Sequence, residues 1–524
     1  MKLSLSLSQK PPVTSVYTAD QVLKNEANVA RSQGIALYEL MRNAGSAIFT
    51  QLSHRWPNAK HMLILCGKGN NGGDGFVVAK LAHQAKLQVS VLLTCEVSQL
   101  KGDALSAYQA MIFAGVSLNV ENAVNKSAQS LAVINDFSGE VIVDALFGIG
   151  FTGQLTQQLQ EFVTCINHHK AKVISIDVPS GLCATTGKVH GESIEEQAII
   201  ADVTVTFIVY KQGLLTGQAI NFVGELLLAP LELNSAFLDQ VTNNVCYGQY
   251  KLPLNLALRL PASHKGNSGL LLTVGGCEKM PGAIRLASES ALRCGAGLVA
   301  VSSHQNNQMH ILSGRPELML APETSTLLAN STQLNKASSY LIGPGLGQSD
   351  EAKQLFKLIC NTSQTQRKTT VIDADGLILL SKTKAQCNHW ILTPHPKEAA
   401  ALLGGDVTSI EADRFAAVRA IAKQYGGICL LKGAGSLISD GEQVIINNSG
   451  NAGMASGGMG DVLSGIISAL AMQSDNNFHS TCLAAYIHGA AADIIANKNG
   501  QRGLLASDLF IPLQQVLNGK VPNH

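Results

Sequence analysis

The sequence predicts two α/β domains in tandem, each a mostly parallel sheet covered by helices. Three observations lead there. Short, nearly all-apolar runs alternate with longer helical patterns, as expected where strands buried on both faces are joined by crossover helices. The alternation breaks once, over about residues 232–262, and then resumes. The length, 524 residues, is more than one hydrophobic core ordinarily supports.

In the first half, residues 19–33 and 35–52 read as helices. His61–Cys66 reads as a strand, residues 67–75 as a glycine-rich loop and 76–84 as a helix. Further strands are expected over 88–95, Val141–Ala145, Lys172–Ile176, 202–209 and 224–231, with helices over 103–114 and 156–167. Residues 233–250 are rich in Asn and Gln and lead to Pro253 and Pro261, which marks a linker. The expected domains are therefore 1–235 and 245–524. In the second, Leu270–Val274, Leu298–Ser302, 340–342, Thr370–Ile372, Trp390–Leu392 and 427–431 read as strands. A helix is expected over 282–294, and a last long one from about Asp461. No repeat relates the halves.

Hydrophobic residues make up 46% of the chain and charged ones 14%, which excludes a disordered polymer. Lys and Arg number 38 against 37 Asp and Glu, so no global field favours nucleic acid or an anionic membrane. Any anion must be held by local geometry. The eleven cysteines are scattered, without CxxC or Cys/His clusters, which fits a reducing, cytoplasmic setting. The start, MKLSLSLSQKPP, is a poor signal peptide, and no run is long enough to span a membrane.

Three polar strand ends stand out in the first half. HMLILCGKGNNGGDGF puts Gly67, Gly69, Gly72, Gly73 and Gly75 between a strand and a helix, where backbone N–H groups can approach a diphosphate. Asn70, Asn71 and Asp74 surround that turn. IVDALFGIGFTG carries Asp144, and VISIDVPSG carries Asp177 and Ser180. Each aspartate alone could merely cap its turn. Together, at strand ends of an open sheet, they favour a ligand site, and their hard oxygens suit a cation such as K⁺ or Mg²⁺.

In the second half, GNAGMASGGMGDVLSG places Gly457, Gly458 and Gly460 before Asp461 and an apolar helix. Amides there can stabilise a transferring phosphoryl group, and Asp461 can take a proton from an attacking hydroxyl. An N-cap aspartate would look similar, but the flanking Asn448 and Asn451 favour a site. LLKGAGSLI brings Lys432, Gly433, Ala434, Gly435 and Ser436 to a strand end, suited to nucleotide phosphates. TPHPKEAALLG holds His395 between two prolines.

GNNGGDGF, VDALFGIG and SIDVPSG resemble the motifs of the NAD(P)H-hydrate epimerase family, and LMRNAGSA resembles its upstream helix, with Arg42 where an acid is common. HKGNSGLLLTVGG, GPGLG, DADGL, TPHPKE, KGAGS, NAGMASGGMGDVLSG and YIHGAAAD resemble the NAD(P)H-hydrate dehydratase family in order and spacing. The joint resemblance, over about residues 20–515, is to the fused, bifunctional repair family. It implies a Rossmann-like three-layer domain followed by a ribokinase-like α/β domain. It also implies that Asn70, Asn71, Gly72, Gly73, Asp74, Gly148, Ile149, Gly150, Phe151, Thr152, Gly153, Gln154 and Asp177 bind the hydrate. Asn71, Asp144 and Ser180 would hold K⁺, with Asp177 as acid/base. In the second domain Ala283, Gly345, His395 and Asp461 would contact the hydrate, with Asp461 as base. Lys432, Gly433, Ala434, Gly435, Ser436 and Gly460 would contact ADP, accompanied by Mg²⁺. The implied partners are NAD(P)H hydrate, ADP and further copies of the chain. Ser449 stands where the family usually has Pro, a change expected to loosen its loop slightly. The alternative is a ribokinase-like small-molecule kinase fused to a nucleotide-binding module.

Overall fold

The computed structural model describes residues 14–191, 196–248 and 261–519. The amino-terminal stretch read as a poor signal peptide lies outside them, as do residues 249–260 of the expected linker. The chain divides between Val245 and Cys246 into two compact units. The Asn/Gln-rich stretch expected to be linker contains a helix, Asn234–Gln240, and a strand, Val245–Tyr247. Phe237 explains the helix: it is fully buried in the core of the first unit, so packing overrides the polar composition around it.

The first unit is built on a seven-stranded, all-parallel sheet. Its order is Val120–Glu121, Gln88–Leu93, His61–Cys66, Val141–Ala145, Lys172–Ile176, Val203–Phe207, Glu225–Ala229. Alternate residues of one strand serve opposite faces, as the pleat requires. Met62, Ile64 and Cys66 pack with helices Ala19–Ser32, Leu37–Arg55 and Asn70–Gln84, whereas Leu63 and Leu65 pack with Ser127–Asn135 and Gln157–Asn167. Three layers result. The strand order reverses between His61–Cys66 and Val141–Ala145, and beyond such a switch point a crevice opens at the strands' carboxyl ends.

In the second unit the strands from Ile428–Leu431 through Trp390–Leu392, Thr370–Ile372, Ser339–Ile342, Leu270–Val274 and Leu298–Ser302 to Met319–Ala321 are parallel. Leu437–Ser439 and Val444–Ile446 extend this sheet antiparallel. The expected last long helix is Met459–Ala471, but a longer one, Asn477–Asn499, follows it. That helix is rich in Ala, with buried residues on most of its faces, so it lacks the amphipathic stripe by which helices are read. Gly465 lets Met459–Ala471 press against Pro281–Arg293: a Cβ there would lie 2.0 Å from both Ala287 O and Ser290 Oγ.

Candidate active sites

The helix expected to begin at residue 76 begins at Asn70, so the glycine-rich segment is its first turns and not a loop. The glycines serve packing more than ligand approach. A Cβ at Gly67 would lie 1.9 Å from Leu146 O, and one at Gly72 equally close to Gly67 O. Gly69, the N-cap, has open space and provides no side-chain cap. The first amides of the helix are left for a ligand.

A cavity of about 610 Å³ opens at this point. Asn70, Asn71 and Asp74 line it, with Gly148, Ile149, Gly150, Phe151, Thr152 and Asp177. Gly72, Gly73, Gly153 and Gln154 are not among the lining residues. Leu40, Met41 and Ala44, from the segment LMRNAGSA, supply apolar wall, and Lys68, Asp103, Glu26 and Lys211 add charge. Sequence reading missed Lys211 and Glu26, which stand in no recognisable motif.

Asp177 sits at φ +64°, a left-handed conformation that is uncommon for a non-glycine residue. Its Oδ1 accepts hydrogen bonds from Lys211 Nζ at 2.5 Å, Thr206 Oγ1 at 3.0 Å and Phe207 N at 3.1 Å. Asp74 differs: burial first, then the charges of Asp177 and Glu26, push its carboxyl well above the usual range. Glu26 is also raised, chiefly by burial.

Asp144 is fully buried, and burial raises its pKa. It accepts from Ser180 Oγ at 2.5 Å, Ser180 N at 2.9 Å, Ser175 Oγ at 2.8 Å and Leu146 N at 3.3 Å. Asp144 and Ser180 therefore meet directly, while Asn71 packs beside Gly148 in the loop after Asp144. Asn71 Nδ2 is buried with no hydrogen-bond partner. Turning that amide would aim its oxygen at the same place, so Asn71 fits a cation such as K⁺. The acceptor positions of Asp144 are filled by the four donors, and a cation would share the place of the Ser180 hydroxyl proton.

In the second unit Gly458, at φ +88°, is the N-cap of Met459–Ala471, again without a side-chain cap. Asp461 lies in that first turn. Burial, with Asp373 and Glu398 nearby, pushes it up to about 7. Lys432 Nζ donates to Asp373 Oδ1 at 2.9 Å and stands 3.8 Å from Glu398 Oε2. Burial opposes its charge, but Asp373, Glu398 and Asp461 outweigh that and raise its pKa. A Cβ on Gly460 would lie 3.3 Å from Lys432 Nζ, so the lysine and the helix start are neighbours. Three carboxylates around one lysine leave negative charge that a divalent cation could balance. Among the described residues, however, no three His, Cys, Asp or Glu side chains surround one metal position. Mg²⁺ would therefore take most of its ligands from phosphate oxygens and water.

His395 is the N-cap of Pro396–Leu403: its Nδ1 accepts from Lys397 N at 3.1 Å and Glu398 N at 3.3 Å. Its Nε2 stands 3.4 Å from Glu398 Oε1. Gly345 and Ala283 are neighbours, a Cβ on Gly345 falling 3.3 Å from Ala283 Cβ. The loop of Lys432, Gly433, Ala434, Gly435 and Ser436 is closed by Ser436 Oγ donating to Gly433 O at 2.9 Å and backed by the buried Arg414, which donates to Lys432 O at 3.1 Å. Ser449, expected to loosen its loop, ties that loop to the helix Asn477–Asn499. Its hydroxyl donates to Tyr486 O at 2.9 Å, and Gly489 allows that approach. Asp373, Glu398 and Arg414 were missed as site residues, although Asp373 ends a strand just as Asp144 and Asp177 do.

The family model described as YjeF-related protein N-terminus matches residues 37–213, and that described as NAD(P)H-hydrate dehydratase matches 271–515. The chain is 40% identical to the bifunctional NAD(P)H-hydrate repair enzyme Nnr of Escherichia coli (strain K12), over 98% of this chain and 96% of that one. It is 40% identical to the enzyme of that name from Coxiella burnetii, over 97% and 100%. Among solved structures, the ADP/ATP-dependent NAD(P)H-hydrate dehydratase from Bacillus subtilis, co-crystallised with ATP/Mg²⁺, is 28% identical. It covers 50% of this chain and 93% of its own, with a TM-score of 0.46. With a relative matched end to end and one family model on each unit, the chain belongs to the bifunctional NAD(P)H-hydrate repair enzyme family.

Proposed function

We propose that the chain returns hydrated NADH and NADPH to their usable forms in two steps at two sites. The first unit interconverts the R and S epimers at C6 of the nicotinamide ring, with Asp177 in acid/base work and K⁺ at Asn71, Asp144 and Ser180. The second dehydrates the S epimer at the expense of ADP. Hydroxide is a poor leaving group. With Asp461 accepting its proton, the substrate hydroxyl attacks the β-phosphorus of ADP and AMP departs. Phosphate then leaves C6 as the N1 lone pair closes an iminium, and loss of a proton from C5 to water restores the ring C5=C6 double bond. Lys432 and the amides of Gly433, Ala434, Gly435, Ser436 and Gly460 offset phosphate charge, and Mg²⁺ would add to this when bound. His395, Ala283 and Gly345 position the hydrate. The eleven free thiols support a reducing, cytoplasmic setting, and among the described residues no helix is long and apolar enough to cross a membrane.

The observation that carries this reading is the uncapped start of Met459–Ala471, with Asp461 beside the Lys432–Asp373 pair. The same arrangement would serve a small-molecule kinase. Phosphorus NMR of a reaction with the S epimer and ADP separates the two. Repair gives AMP and free phosphate in step with reduced nicotinamide; a kinase accumulates a phosphate ester.

A further inference from the structure

We propose that Asp74 is the acid that releases the C6 hydroxyl during epimerisation, in the same cavity as Asp177. The inference rests on the epimerase reading of this cavity.

The two carboxyls are supplied oppositely. Asp177 receives three donors, one of them the buried ammonium of Lys211. Asp74, 8% exposed, receives no side-chain hydrogen bond from any described residue. A buried carboxyl without donors carries charge poorly, whereas its protonated form is itself a donor. The groups facing it agree: Glu26 from Ala19–Ser32 and Asp177 from its strand end are acids that disfavour a further negative charge. Lys211 is taken up by Asp177, and Lys68 and Asp103 are the other charged groups on the cavity wall. One carboxyl supplied with donors and one without, in the same cavity, give the site a proton acceptor and a proton donor.

The step balances without an oxidant or reductant. The Asp74 proton passes to the C6 hydroxyl, the C6–O bond breaks and water departs. The lone pair of N1 closes an N1=C6 iminium. Water adds to C6 from the opposite face, its proton goes to Asp177, and the electron pair returns to N1. Exchange with solvent moves the proton from Asp177 back to Asp74.

The test is the pH profile of epimer interconversion by the full chain, followed in H₂¹⁸O. Wild type should lose rate as rising pH deprotonates Asp74, and should take up one solvent oxygen at C6 per inversion. Asp74→Asn should lose about 10²–10⁴-fold in kcat, beyond any change in KM. Asp74→Glu should restore part of the rate with the basic limb displaced, and Glu26→Gln should retain a basic limb, moved to lower pH because one acid that disfavours charge on Asp74 is gone. The proposal falls if Asp74→Asn stays within tenfold of wild type, if Glu26→Gln removes the limb instead, or if wild type inverts without ¹⁸O uptake. Wild type that does not interconvert the epimers at all overturns the epimerase reading itself.

Discussion

Lys211 Nζ lies 2.5 Å from Asp177 Oδ1, and the lysine side chain is only 1% exposed. The pair stands at the end of the strand Lys172–Ile176, where sequence reading had placed Asp177 alone. A lysine buried this fully is sustained by its partners, here also Thr206 Oγ1 at 3.1 Å and Phe207 O at 2.8 Å.

Lys211→Met should therefore unfold the first unit more easily, by about 3–5 kcal/mol, because it strands a buried carboxylate. Asp177→Asn keeps an oxygen for Lys211 and should cost less stability while stopping epimerisation. Dehydration of pure S epimer should survive both changes. Denaturant titration with separate assays of the two reactions checks this; full epimerase activity in Asp177→Asn would remove it from the mechanism.

Asp461→Asn keeps size and polarity but cannot accept a hydroxyl proton. Dehydration should fall by about 10²–10⁴-fold. ADP affinity should hold or improve, since a negative group beside phosphates is lost. Were Asp461 only a helix-end residue, turnover would stay near wild type. Calorimetric ADP titration and turnover on the one variant decide.

The pH dependence has a definite sign. Asp461 must be ionised to act as base, and its pKa is raised from 3.8 to about 7. In wild type, kcat/KM for dehydration should fall about tenfold per unit below that value and level off above it. The same shift acts on stability. The raised folded-state pKa favours folding fully below the unfolded value, and that contribution is lost as pH rises through about 7. Asp461→Asn should thus melt higher than wild type at pH 8 and show the smaller difference at pH 5.

Ser449→Ala deletes the bond to Tyr486 O and should cost about 1 kcal/mol, visible as a fall of a few degrees in Tm. No change in Tm would return the loop to the looser state expected from sequence.

What was legible in the sequence follows from how each signal arises. Strands buried on both faces leave unbroken apolar runs, so His61–Cys66, Val141–Ala145 and Leu270–Val274 can be read to the residue. Polar groups at strand ends interrupt those runs, which exposed Asp144 and Asp177, while Asp461 was exposed by the glycine cluster before the helix Met459–Ala471. The helix of the glycine segment began six residues early because Gly72 and Gly75 are required by contact with Gly67 O and Cys66 Sγ, a tertiary demand without local signature. Lys211 and Glu26 reach the first site by chain crossing alone. Glu398 was hidden inside a quoted motif whose histidine drew attention, although both side chains belong to one capping arrangement.

The most direct measurement offers the purified chain an equal mixture of R and S hydrate with ADP, ATP or no nucleotide, and follows absorbance of reduced nicotinamide. Two cooperating sites predict rapid and complete recovery with ADP and none beyond the spontaneous rate without nucleotide. With Asp177→Asn, recovery should stop near half and then continue at the spontaneous rate. Rapid recovery without nucleotide, or wild type halting at half, would contradict the account.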